Sequence, residues 1–118
     1  MVALDGRIYG KPADEAQARA TLEALSGRTH RVISGVALRV GAGTREATCV
    51  TDVTFRPLSD GVLDWYIATD EWRERAGGYA IQGRGAALVS GISGDYLNVV
   101  GLPVTTLLDL DPGLLFRR

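Results

Sequence analysis

The stretch from Thr29 to Phe55, THRVISGVALRVGAGTREATCVTDVTF, decides the fold class of this chain. Its outer parts, Thr29 to Leu38 and Glu46 to Phe55, are rich in Val, Ile and Thr and alternate roughly between apolar and polar residues. A period of two suits strands with one buried face, because successive side chains of an extended chain point to opposite sides. Between them RVGAGT is glycine-rich, as a tight turn requires, so the spacing predicts an antiparallel pair.

On the N-terminal side, VALDGRIYGKP reads as two short extended pieces joined at Asp5-Gly6, a dipeptide suited to a hairpin turn. Pro12 then stands where a first helical residue would lack an N–H partner anyway, and Ala18, Leu22 and Leu25 follow at helical spacing, with Gly27 placed to end the helix. On the C-terminal side, Ser59 is a candidate helix cap, and Val62, Leu63, Tyr66 and Ile67 share one face of the helix it would start. EWRERAGGYAIQGRG is glycine-dense and reads as a loop or a loop entering a helix, AALVSGISGDYLNVV as a further strand, and VTTLLDL after Pro103 as a last helix. Strands and helices intermix without an internal repeat or low-complexity linker, which favours an α/β or α+β fold over an all-β sandwich.

The chain has 118 residues, enough for one ordinary core, and residues 1–118 are read as a single domain. Hydrophobic residues make up 46% and charged residues 23%, which excludes disordered and collagen-like classes. Thirteen basic and fourteen acidic residues leave a net charge of −1, so no general field recruits a nucleic acid polymer or an anionic membrane, and any anion must be bound locally. Cys49 is the single cysteine, which excludes an internal disulfide and suits a reducing compartment; the expected location is the cytoplasm.

Several residues are candidates for chemistry. Lys11, beside Pro12 at the expected helix mouth, is placed to meet an anion such as a phosphate, or is simply a solvated lysine. GYAIQGRG is neither a Walker A sequence nor a Rossmann fingerprint, yet its glycines would let a ligand approach the backbone. Within it the amide of Gln82 has one acceptor and two donors, enough to read the edge of a base, or else to cap a turn. Asp70, Glu71 and Glu74, interleaved with Arg73 and Arg75, could hold a divalent cation or form a solvated face of exposed ion pairs. His30, without a nucleophile elbow nearby, reads as a structural histidine, and Cys49 as a small core residue.

Four segments in order, GRIYGKP, LSGRTHRVISGVAL, ERAGGYAIQGRGA and GDYLNVVGLP, closely resemble the Maf family of nucleotide pyrophosphatases, also described as septum-formation-inhibitor-like proteins. The resemblance runs from Val2 to about Gly113. It implies a mixed sheet flanked by helices and an enzyme that cleaves a nucleoside triphosphate between the α and β phosphates, with Mg²⁺ or Mn²⁺ as cofactor and a homodimer as a possible assembly. Lys11 matches the lysine of the family's GKP motif and would contact phosphate. Arg75 occupies the place of the usual lysine of DKAG, keeping the charge but changing the donor geometry. Glu71 matches the glutamate preceding that motif and joins Lys11 and Arg75 as an expected catalytic residue, while Glu74 stands where an aspartate is common. Gln82 matches the glutamine of IQG, which marks the branch acting on dTTP and UTP; an amide pairs well with N3–H and a neighbouring carbonyl of uracil or thymine.

Family members also carry an SxSPRR-like segment and an ADT motif whose Asp is the presumed proton acceptor, and neither occurs in this sequence. The resemblance therefore implies the C-terminal portion of a Maf-like domain, with roughly 60 to 80 residues of an ordinary domain outside it. The alternative is a catalytically impaired nucleotide-binding or division-related regulatory protein of the same fold.

Overall fold

The strand pair at Thr29–Phe55 forms as a long hairpin, with β3 (Thr29–Val40) and β4 (Gly43–Phe55) in register from Thr29↔Thr54 to Val40↔Gly43. Its two-residue loop places Gly41 at φ 61°, a left-handed conformation that glycine adopts without steric cost. The computed structural model describes residues 1–114. Before the hairpin come β1 (Val2–Leu4), β2 (Arg7–Tyr9) and α1 (Glu15–Leu25). After it come α2 (Asp60–Ile67), β5 (Val89–Ser93), α3 (Tyr96–Val100) and α4 (Val104–Leu110). The glycine-dense segment between α2 and β5 is built from 3-10 turns.

The strands form one five-stranded sheet in the order β2-β1-β3-β4-β5. The α+β class expected from the sequence is the observed one, but every described pairing is antiparallel, so the expected mixed sheet is corrected. Two of the four pairings close through tight hairpins, and α1 and α2 return the chain so that β3 and β5 also run against their neighbours.

One face of the sheet carries the core. Val2 and Leu4 of β1, Val32 of β3, and Val53 and Phe55 of β4 are buried there against Ala18, Leu22 and Leu25 of α1 and Leu63 and Tyr66 of α2. Trp72, Tyr79, Ile81 and Leu88 complete the cluster from the glycine-dense segment, which is thus a structural wall rather than a surface loop. The opposite face shows Arg31 and Asp52, a cross-strand ion pair at 3.6 Å, beside exposed Val50. The hairpin outruns this core, giving extents of 51 × 25 × 23 Å and a radius of gyration of 15.9 Å, against roughly 13 Å for a compact chain of about this length.

Three local expectations are refined. The helix expected to open at Pro12 opens at Glu15, because Asp14 caps it by accepting a hydrogen bond from Gln17 N at 2.8 Å. Ser59 caps α2 as the sequence indicates, but Val62 stays exposed while Leu63 and Tyr66 are buried. Cys49 is half-buried rather than in the core. Among the described residues no helix is long and apolar enough to cross a membrane.

Candidate functional site

The glycine-dense segment positions most of the chemistry, and its glycines explain how. Gly77 (φ 73°) donates to Gly10 O at 3.2 Å, and a Cβ on it would meet the Val2 side chain at 3.0 Å. Gly78 (φ 76°) lies against Pro12, where a Cβ would come within 3.3 Å of the ring. These two contacts bracket Lys11 and bring it beside the segment, where its ammonium lies 3.5 Å from Glu74 Oε2. Lys11 is therefore held by the meeting of two loops and not at a helix mouth.

A cavity of about 200 Å³ opens between this segment, β1, β3 and α3. Its polar lining comes from Ser34, Glu74, Arg75, Tyr79, Gln82 and Asn98. Arg75 and Gln82 thus share one cavity; Lys11 does not line it and is tied to it by its ion pair with Glu74, which does. Gln82 lines the cavity just before the 3-10 turn Arg84–Leu88, whose N-cap is Gly83.

Glu71 sits elsewhere. Its Oε1 accepts from the Tyr66 hydroxyl and from Gly85 N, both at 2.9 Å, and its Oε2 accepts from Arg84 N at 3.0 Å. Burial works against its ionisation, but the hydrogen bonds from Gly85, Arg84 and Tyr66 outweigh it and hold the carboxyl below its ordinary value. Glu71 does not line the cavity.

Two further residues shape the site and were not singled out from the sequence. Tyr79, a cavity wall, is held by edge-on packing against Phe55 and His30 and by a 2.7 Å hydrogen bond between its hydroxyl and His30 Nε2. His30 is thus the structural histidine expected of it. Asn98 is buried, and its Nδ2 donates to Val32 O at 3.0 Å and Thr51 Oγ1 at 3.1 Å, fastening α3 to the hairpin behind the cavity. The signal for Asn98 was the motif GDYLNVVGLP, whose Asp95 caps α3 by accepting from Leu97 N.

The expected divalent cation finds no ligand set in this geometry. Among the described residues no three His, Cys, Asp or Glu side chains converge, and Glu74 is the one carboxylate lining the cavity. The residues present do not by themselves fit a metal centre.

Comparison with known proteins gives this arrangement its context. A family model described as Maf-like protein matches residues 1–110. The chain is 51% identical over 110 residues to a dTTP/UTP pyrophosphatase of Pyrococcus furiosus, an overlap of 93% of this chain and 58% of that protein. It is 52% identical over 104 residues to a dTTP/UTP pyrophosphatase of Symbiobacterium thermophilum, covering 88% and 54% respectively. For a dTTP/UTP pyrophosphatase of Lacticaseibacillus casei the identity is 46% over 108 residues, covering 91% and 58%. The chain spans a little over half the length of these curated relatives. With a match that runs through nearly all of its residues, this protein belongs to the Maf-like family.

Proposed function

We propose that this chain forms the pyrimidine-recognising part of a nucleoside triphosphate pyrophosphatase that converts dTTP or UTP to the monophosphate and pyrophosphate. The observation that carries this reading is the shared cavity of Gln82 and Arg75, with Lys11 paired to Glu74 of its lining. About 200 Å³ is below the usual 300–1,000 Å³ of a whole-ligand pocket, so it suits one ring rather than a complete nucleotide. A pyrimidine placed there would offer N3–H and a flanking carbonyl to the Gln82 amide, which has both an acceptor and donors. The phosphates would then run outward to Arg75, a rigid fork of donors, and Lys11, a mobile point charge. Glu74, now beside Lys11, is the charge that an incoming phosphate would displace.

In this reading the side chains bind and orient, and catalysis draws on positioning and charge neutralisation. No step is assigned to a divalent cation, since no three His, Cys, Asp or Glu side chains among the described residues converge to ligate one. The relatives named above are dTTP/UTP pyrophosphatases, which agrees with the substrate class. A second reading, nucleotide binding without hydrolysis, is favoured by one feature: the three hydrogen bonds that occupy Glu71 leave it poorly placed to take a proton from water.

Calorimetry with dTTP, UTP, dATP and dGTP, and pyrophosphate release in the presence of Mg²⁺, test both. Pyrimidine triphosphates should bind roughly tenfold or more tightly than purine ones, and Gln82→Ala should erase most of that preference. Equal affinity for all four, or no binding by a folded sample, overturns the proposal; binding without pyrophosphate release selects the second reading.

A further inference from the structure

The segment carrying Gln82 doubles back on one side chain. Ala80 N donates to the Tyr66 hydroxyl at 3.0 Å, and that hydroxyl donates to Glu71 Oε1. Beyond Gln82, Arg84 N and Gly85 N donate to the two oxygens of the same carboxylate. Gln82 is thus bracketed on both sides by backbone amides that end, directly or through Tyr66, on Glu71. The approach is so close that a Cβ on Gly83 would lie 2.5 Å from Glu71 Oε2, and one on Gly85 would lie 2.3 Å from Ala80 O. Glu71 is itself held by a bond from its N–H to Thr69 Oγ1 at 3.1 Å, while that hydroxyl donates to Tyr66 O at 2.6 Å.

We propose that Glu71 is a positioning residue: its carboxylate gathers the amides on either side of Gln82, with Tyr66 as relay, and so fixes the geometry with which Gln82 meets its ligand. The inference rests on the pyrimidine reading above for what Gln82 meets, but the hub itself is a property of the loop. An ionised carboxylate is the group for this task, since it accepts several bonds at once and donates none. A glutamine in its place keeps the acceptor for Tyr66 and Gly85 but turns an NH₂ toward Arg84 N–H. The pattern differs from that of a catalytic base, which must reach the reacting water.

The test uses two variants and two readouts. In Glu71→Gln and Tyr66→Phe, amide hydrogen exchange at Arg84 and Gly85 should accelerate roughly tenfold or more while the β3–β4 hairpin keeps its protection. With dTTP as the probe, KM should rise about tenfold in both variants with kcat within about threefold, and in a Gln82→Ala background neither substitution should further reduce the preference for pyrimidines. A general base would instead show kcat falling by roughly a hundredfold or more in Glu71→Gln, with KM unmoved and Tyr66→Phe near wild type; that result overturns the proposal. So does unchanged exchange at Arg84 and Gly85. If the wild-type chain neither binds nor turns over dTTP, the pyrimidine reading fails and the ligand-positioning role falls with it, whereas the exchange data still show whether Glu71 organises the loop.

Discussion

The hydroxyl of Tyr79 and Nε2 of His30 lie 2.7 Å apart inside the core, so a wall of the cavity is fastened to β3 through a titratable ring. Burial pushes the His30 pKa down to about 4 from 6.5. Between those values the unfolded chain takes up a proton that the folded chain refuses. Stability is therefore complete above about pH 6.5 and is lost as the pH falls toward 4, by up to about 3 kcal/mol. Urea denaturation across this window should show the loss in the wild type. His30→Phe, less stable near neutrality because it strands the Tyr79 hydroxyl, should lack that part of the slope. Identical slopes in the two proteins would rule out His30 as the acid-sensitive group.

Glycines 83 and 85 differ from glycine 35 in what surrounds them. A Cβ at 85 meets backbone at 2.3 Å and one at 83 meets the Glu71 carboxylate at 2.5 Å, whereas one at 35 has nothing within 4 Å. Gly85→Ala should cost about 3 kcal/mol or displace the loop, and Gly83→Ala about 1–2 kcal/mol, because a side chain yields more readily than backbone. Gly35→Ala should stay within about 0.5 kcal/mol of wild type. Thermal melts of the three variants give the ranking, and a Gly85→Ala protein as stable as Gly35→Ala would contradict the geometry.

Lys11 is exposed and its ion pair with Glu74 contributes little to folding, as exposed pairs generally do. Lys11→Ala should melt within about 1–2 °C of wild type. If Lys11 meets the outer phosphates as proposed, calorimetry should show dTTP binding weakened about tenfold in Lys11→Ala with dTMP nearly unaffected. Equal weakening of both nucleotides would move Lys11 away from the phosphate tail.

Asn98 joins α3 to two strands at once, and its removal takes a buried donor from the Val32 carbonyl and one of the two donors, with Asp95 N, from the Thr51 hydroxyl. Asn98→Ala should lower stability by about 2–4 kcal/mol in chemical denaturation. Asn98→Asp should do no better, because it replaces the donor with a buried acceptor that carries charge. A neutral effect of either would show that the amide is dispensable to the hairpin.

How much of this was legible in the chain depended on the range of the interaction. The period of two from Thr29 to Phe55 and the glycine between its halves specify the hairpin locally, and Asp5-Gly6 and Ser59 mark a turn and a cap where they occur. Lys11 was misplaced by one competition: the Asp14 carboxylate captures Gln17 N and starts α1 after Pro12, a spacing that was present in the sequence but outweighed by the proline. Glu71 and Asn98 both lie in recognisable motifs, but their partners, amides 13 and 14 residues from Glu71 and strands 47 to 66 residues from Asn98, are set by the tertiary fold and have no local signature. The glycine content of residues 77–85 was visible, but its cause, backbone and carboxylate pressed into the space of a missing Cβ, belongs to the tertiary fold.

The long β3–β4 hairpin has a dynamic consequence. Its root is covered on one face by α1, α2 and α3, while from Gly35 to Thr48 few side chains are covered and, among the described residues, α4 leans on it through the bond from Arg45 to Leu110 O. Such a peninsula can unzip from the Gly41 end without disturbing the root, so the molecule has a cheap partial opening separate from its global one. Opening there need not disturb the cavity, whose walls come from the root of the hairpin, α3 and the segment around Gln82.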